Sequence, residues 1–238
     1  ITEDDVRAAT SNKSSQVRQQ PAPSTAVSAP TMAIGNVSGP STSRGLHGVR
    51  RAIAASMSAS LSVPDIMEFR EIDASELLMA RDALRKTTGK KVSVTPLLIR
   101  AVTLALQHHP NMNARFDGET ITEYQNVHVG IATATEDGLL VPVLHDAQSV
   151  AIRDLPGSIE RLVNAAKSRT ATPDELGGGT FTVTNFGSFG TWLGTPIIRV
   201  PEVAIAGFGR ISDKVIALAG QPVVRPVLPV VVATDHRV

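Results

Sequence analysis

The run Val231-Val232-Ala233-Thr234-Asp235-His236-Arg237-Val238 carries a single histidine, flanked by Asp and Arg, to the end of a β-branched strand. An imidazole in that position can accept a proton near neutral pH if it has a partner group, which is what acyl-transfer chemistry requires. Taken alone, His236 also reads as an ordinary hydrogen-bonded core histidine. A second segment carries comparable interest. In Gly178-Gly179-Thr180-Phe181-Thr182-Val183-Thr184-Asn185-Phe186-Gly187-Ser188-Phe189-Gly190, strand alternation puts Thr180, Thr182 and Thr184 on one face and Phe181 and Val183 on the other. Three hydroxyls on one face fit either β-propensity on a solvated surface or a polar site. The glycines that follow allow a ligand to approach the backbone closely.

Other charged and titratable groups read more plainly. Arg81, in Glu76-Leu77-Leu78-Met79-Ala80-Arg81, is a solvated helix charge on its own evidence. His108 and His109 precede Pro110 at a helix C-terminus, where dipole and carbonyl interactions account for them. His47, His128 and His145 have no ligand spacing with one another, so no metal site is expected. Asp117-Gly118 and Asp137-Gly138 are turn sequences.

Composition bounds the partners. Among 238 residues, 23 basic and 22 acidic side chains nearly cancel, and 3% are aromatic, so neither the charge nor the stacking surface for nucleic acid is present. Hydrophobic content of 42% is enough for a real core. The absence of cysteine removes disulfides, thiolate nucleophiles and cysteine-ligated metals, and suits a cytoplasmic-type protein. No apolar run reaches the length of a membrane span. The chain starts on Ile1 and reads as a fragment, cut in front and, from the motif below, behind.

The elements that must position these residues follow from periodicity and punctuation. Residues 1–10 read as a short helix with Thr2 as N-cap and Asp5 in the first turn. Residues 11–43, rich in Ser, Ala, Pro and Gln, read as a flexible tether. The body spans 44–238. Helices are predicted over 44–61, stopped by Pro64, over 74–88, stopped by Gly89, from Thr95-Pro96 to 108, and over 152–168. Strands are predicted at 66–72, 114–124, 127–135 and 139–144, then from 180 to 238 between Gly and Pro turns. The expected fold is α+β, two layers, with helices on a mixed or antiparallel sheet.

Gly179-Thr180-Phe181-Thr182-Val183-Thr184-Asn185, Thr195-Pro196-Ile197-Ile198, Pro201-Glu202-Val203-Ala204-Ile205 and Asp235-His236-Arg237 together resemble the catalytic domain of the dihydrolipoamide acyltransferases of 2-oxo-acid dehydrogenase complexes. The likeness extends upstream through Gly48-Val49-Arg50-Arg51-Ala52-Ile53-Ala54 to Met57, in the family's order. Residues 1–10 resemble the end of a peripheral-subunit-binding domain, and 11–43 the interdomain linker. The resemblance implies a chloramphenicol-acetyltransferase-like fold that moves an acyl group from dihydrolipoamide thioester to coenzyme A, with the lipoyl group carried on a domain outside this chain.

It also implies roles. His236 would be the general base toward the coenzyme A thiol, and Thr184, where many relatives have serine, the oxyanion donor. Coenzyme A contacts would fall on Arg81, Ser93, Thr184, Asn185, Ser188, Gly209 and Ile211. The protein would form homotrimers that can build a larger cage, with His236 and Thr184 coming from neighbouring subunits. Its partners would be a lipoyl domain, the 2-oxo-acid decarboxylase and dihydrolipoamide dehydrogenase, in the cytoplasm or, in a eukaryote, the mitochondrial matrix. Motif details lean toward branched-chain acyl groups over acetyl or succinyl. Three departures stand out: the family's aspartate four residues after the histidine falls past Val238, a common Asp is Ala134, and a common Gln is Val163. Two rival readings are a related acyltransferase acting on a soluble acceptor and a catalytically silent scaffold.

Overall fold

In the computed structural model, residues 39–136 and 138–238 are described. The helix expected over 1–10 and most of the tether expected over 11–43 lie outside them. Residues 45–238 form one compact unit. Helix α1, Gly48–Ser60, ends ahead of Pro64, and the buried Ser60 hydroxyl donates to the Ile198 carbonyl at 2.7 Å, fastening its C-terminus to the 195–199 segment. Strand β1, Asp65–Asp73, leads into α2, Ser75–Thr88, which stops on Gly89 in the left-handed region at φ 65°. Helix α3 covers Thr95–His108.

Three short strands follow, β2 at Ala114–Phe116, β3 at Ile121–Glu123 and β4 at Val129–Ile131. Next come β5 at Thr133–Thr135, β6 at Gly138–Leu140 and β7 at Val143–Leu144. Helix α4, Leu155–Lys167, buries Leu155, Ile159, Leu162 and Ala166, a single apolar stripe at helical spacing. A one-turn helix, α5 at Pro173–Leu176, was not anticipated. Its signal is nonetheless in the chain: Thr172 and Glu175 form a capping box around Pro173 at the first helical position. The remaining strands are β8 (Phe181–Asn185), β9 (Ala204–Phe208), β10 (Ser212–Leu218) and β11 (Gln221–Asp235).

The main sheet runs β1-β11-β9-β8-β4-β7, with β10 also on β11. β8 is parallel to β4 and β9, while β11 is antiparallel to β9 and β1, so the sheet is mixed as expected. β2–β3 and β5–β6 form separate hairpins. The expected 127–135 strand therefore divides at Ala132, whose N–H donates to the Val183 carbonyl before the chain turns into the hairpin. Proline placement also differs: Pro222 and Pro226 lie inside β11 instead of ending it. There β11 has only β10 beside it, so a missing N–H can face the open side. The core gathers Ile99, Leu155, Leu162, Val127, Val129 and Val183, each almost fully buried, between the helices and the sheet.

Candidate active site

β8 is a central strand, and that placement decides what its hydroxyls do. Thr180 and Thr182 are 1% and 2% exposed, which excludes the solvated-face reading. A buried hydroxyl needs a partner. Thr180 donates to Asn113 Oδ1 at 2.6 Å, and Thr182 donates to Glu202 Oε2 at 2.5 Å. The hydroxyl of Thr184, a residue half-buried at the strand's end, makes no hydrogen bond among the described residues. It is the one unspent hydroxyl of the three.

Thr184 opens into a cleft of about 490 Å³ whose other walls are largely apolar: Ile53 and Met57 of α1, Leu140 of β6, Ile197, and Ile205 of β9. A second cleft of about 570 Å³ lies on the opposite face of β8, where alternation sends Val183 and Asn185. It collects Ser93, Asn185 and Ser188, three of the predicted binding residues. Ala132 lines both clefts, so they meet near the C-terminal end of β8. The Thr95 hydroxyl accepts from Asn185 Nδ2 at 3.1 Å, tying the start of α3 to the cleft. Ser188 donates to the Asn185 carbonyl at 2.8 Å, holding the turn after β8. Ala134 and Val163, two positions that depart from the family pattern, line this same cleft.

The other predicted residues fall elsewhere. Arg81 Nε and Nη2 donate to Asp82 at 3.0 and 2.9 Å, so its charge is engaged, and it lines neither cleft. Gly209 is a packing glycine, since a Cβ there would stand 1.7 Å from the Trp192 carbonyl oxygen. Ile211 packs half-buried against the core. His236 is exposed just past β11, with its N–H bonded to the Pro64 carbonyl at 2.9 Å. The flanking Asp235 does not serve it. That buried carboxylate accepts from Arg237 Nε at 2.9 Å and Nη2 at 2.7 Å, and these bonds hold it below the usual carboxylate range.

Strand register puts His236 and Thr184 far apart within one chain. Thr184 is level with Gly207, and Gly207 with Val231. His236 is five residues beyond Val231 on a strand two places away. At roughly 3.4 Å per residue and 4.8 Å per strand, the separation is about 20 Å. The cause is direction: β11 runs antiparallel to β8 and β9, so its C-terminal end lies level with their N-terminal ends.

Two features escaped sequence reasoning. His128 and His145 face each other with ring centroids 5.0 Å apart, because the β4–β7 register sets Val129 against Leu144. His128 Nδ1 accepts the Asp146 N–H at 3.0 Å, which leaves the ring neutral with its proton on Nε2, and burial lowers its pKa. Among the described residues no group of three or more histidine, cysteine and carboxylate side chains is placed to hold a metal ion. The second is Glu202, 4% exposed beneath Thr182, whose carboxyl is pushed up by burial against the opposing hydrogen bond and the nearby Arg199. No local pattern marks a glutamate as buried.

The structure thus sets a mixed sheet under helices, with an unspent hydroxyl between two clefts and an imidazole past a strand end. The chain belongs to the family described as 2-oxoacid dehydrogenases acyltransferase (catalytic domain), which matches residues 38–238. It is similar to the lipoamide acyltransferase component of the branched-chain alpha-keto acid dehydrogenase complex of Pseudomonas putida, with 39% identity over 197 residues, 80% of this chain and 47% of that protein. The chain thus spans about half the length of the curated relatives it matches. Relatives named for acetyl and succinyl transfer match at 34% and 32% identity. Among solved structures, a probable dihydrolipoamide acetyltransferase from Listeria monocytogenes aligns at a TM-score of 0.77 with 31% identity, covering 83% of this chain and 86% of its own. The cubic core of a pyruvate dehydrogenase multienzyme complex aligns at the same score with 29% identity, covering 92% and 90%. No described helix is long and apolar enough to cross a membrane.

Proposed function

We propose that the protein transfers an acyl group from a dihydrolipoamide thioester, delivered by a lipoyl domain outside this chain, to coenzyme A within a 2-oxo-acid dehydrogenase complex. The observation that carries this reading is the unpaired Thr184 hydroxyl between two clefts on opposite faces of β8. The apolar cleft suits the acyl-lipoyl arm. The cleft with Ser93, Asn185 and Ser188 suits the polar pantetheine arm of coenzyme A.

His236 removes the thiol proton of coenzyme A, and the thiolate adds to the thioester carbonyl carbon. Thr184 donates its hydroxyl to the oxyanion of the tetrahedral intermediate. Collapse breaks the bond to the dihydrolipoamide sulfur, which recovers the proton from the imidazolium. Because the two residues are about 20 Å apart within one chain, the reaction requires His236 of one copy and Thr184 of another. A homotrimer, able to build a larger cage, supplies that arrangement. It is supported by the apolar side chains left exposed on β1 and the β10–β11 hairpin, Phe69 at 49%, Val215 at 71% and Val224 at 65%.

Branched-chain acyl groups are favoured over acetyl and succinyl. Support comes from the aliphatic walls beside Thr184 and from the higher identity to the branched-chain relative. A methylene or two changes selectivity by about 1–3 kcal/mol. The test is turnover of isobutyryl-, acetyl- and succinyl-dihydrolipoamide with coenzyme A by the full-length protein. An isobutyryl kcat/KM below the other two would refute the acyl preference. Absence of turnover with all three would favour a scaffold. The 2-oxo-acid decarboxylase and dihydrolipoamide dehydrogenase are the partners this reading assigns.

A further inference from the structure

The apolar cleft beside Thr184 has one exception in its walls. Among the described residues that line it, Arg199 is the only ionisable one. A lone guanidinium on an apolar wall is a ready partner for a carboxylate carried into the cleft. This one is already engaged. Its Nη2 donates to the Leu176 carbonyl at 2.9 Å, at the end of α5. Its Nη1 is shut off from solvent and stands 3.6 Å from Glu202 Oε1 without hydrogen-bonding it.

Glu202 lies behind the cleft wall and not on it. Its Oε2 accepts the Thr182 hydroxyl at 2.5 Å. Its Oε1 occupies space that a side chain at Gly179 would fill, since a Cβ there would come within 2.8 Å of it and 3.4 Å of Arg199 Nη1. A second cation, Arg115, is bridged to Glu202 through the backbone and donates to the Gly179 carbonyl at 3.1 and 2.6 Å. One carboxylate is therefore set against two guanidinium groups, and of the two only Arg199 lines the cleft. Thr182 fixes where this charge falls along the acyl path. It shares a face of β8 with Thr184, about 7 Å away at two residues' spacing. An acyl group with its carbonyl at Thr184 and its chain along β8 brings its far end to Thr182 and Arg199.

We propose that Glu202 determines acyl selectivity: it holds Arg199 against the protein and neutralises its charge, so a dicarboxylic acyl group entering the cleft finds no free cation. This rests on the reading of the cleft as the acyl-lipoyl site, and it names the group that turns succinyl away. The discrimination comes from withholding a partner. A succinyl carboxylate would lose its water among Ile53, Ile197 and Ile205 with nothing to replace it, whereas an aliphatic acyl group carries no such charge.

Steady-state turnover by the full-length protein of succinyl-dihydrolipoamide, its uncharged amide analogue succinamyl-dihydrolipoamide, and isobutyryl-dihydrolipoamide tests the assignment. Glu202→Gln, which keeps a partner for Thr182, should raise the succinyl-to-succinamyl ratio of kcat/KM about ten-fold or more, the worth of one charge-assisted hydrogen bond. Adding Arg199→Met should abolish that gain, because the freed guanidinium is its source. Glu202→Leu removes the same charge and carries the same expectation, so the result does not hang on one variant folding. An unchanged ratio in the Glu202 variants would overturn the proposal, as would a gain that survives Arg199→Met. A role for Glu202 in packing alone would lower all three substrates together and leave the ratio where it was, with the same consequence. If the wild-type protein turns over none of the three, the reading of the cleft itself fails.

Discussion

If His236 and Thr184 act together only across a subunit boundary, two inactive variants should rescue each other. His236→Ala removes the base, and losses for a general acid–base residue run to about 10²–10⁴-fold. Thr184→Ala removes the oxyanion donor, at about 10²–10³-fold in kcat. Each alone is close to silent. Register places the two groups about 20 Å apart in one chain, beyond the reach of any side-chain rotation, so on the proposed roles a working site would draw on two neighbours. When the variants are unfolded together in equal amounts and reassembled, an intact site needs its imidazole from a Thr184→Ala subunit and its hydroxyl from a His236→Ala subunit. Random cyclic assembly gives about one site in four that composition. Coenzyme A acylation should therefore recover to about 25% of wild type, far above either parent. The assay is thioester formation after co-refolding, with separately refolded and then mixed variants as the control. Recovery no greater than that control would refute the shared site.

Thr184→Ser should keep kcat within about ten-fold of wild type because the donor oxygen is retained, a contrast that steady-state kinetics would read against Thr184→Ala. Glu202 has a folded pKa raised above 4.5, so the folded state binds more protons and stability falls as pH rises through that region. Glu202→Gln should flatten this dependence and raise the melting temperature at pH 8, measured by calorimetry. His128 has a folded pKa below 6.5, so its contribution is complete above that value and is lost as pH falls through the folded pKa. His128→Asn, which can still accept the Asp146 N–H, should lessen the acid sensitivity in denaturant titrations between pH 5 and 7, roughly the histidine window. Gly209→Ala should cost about 3 kcal/mol or more, seen as a lower denaturation midpoint, because the new Cβ would collide with the Trp192 carbonyl.

Much of the architecture was legible from local chemistry. The apolar stripe of α4, the glycine stop of α2 at φ 65° and the β-branched run leading to His236 act over a few residues, and the observed elements follow them closely. The motifs around Thr184 and His236 identified the family for a related reason: each is a contiguous string whose spelling survives without the fold. Arg81 illustrates the opposite case. Its type suits a phosphate, but its actual partner is its sequence neighbour Asp82.

What the amino-acid sequence determined by itself was most of the helices and strands of the body and the α+β class of the fold, with His236 and Thr184 as its candidates for chemistry. Which threonine is free was decided only by tertiary structure. Asn113 and Glu202, 67 and 20 residues distant along the chain, claim Thr180 and Thr182 and leave Thr184 unpaired. Strand order and direction likewise set His236 level with the N-terminal ends of β8 and β9, split the binding residues between two faces of β8, and brought His128 against His145. These are long-range pairings, fixed by how buried polar groups and apolar faces are satisfied together, and no local window of residues contains them.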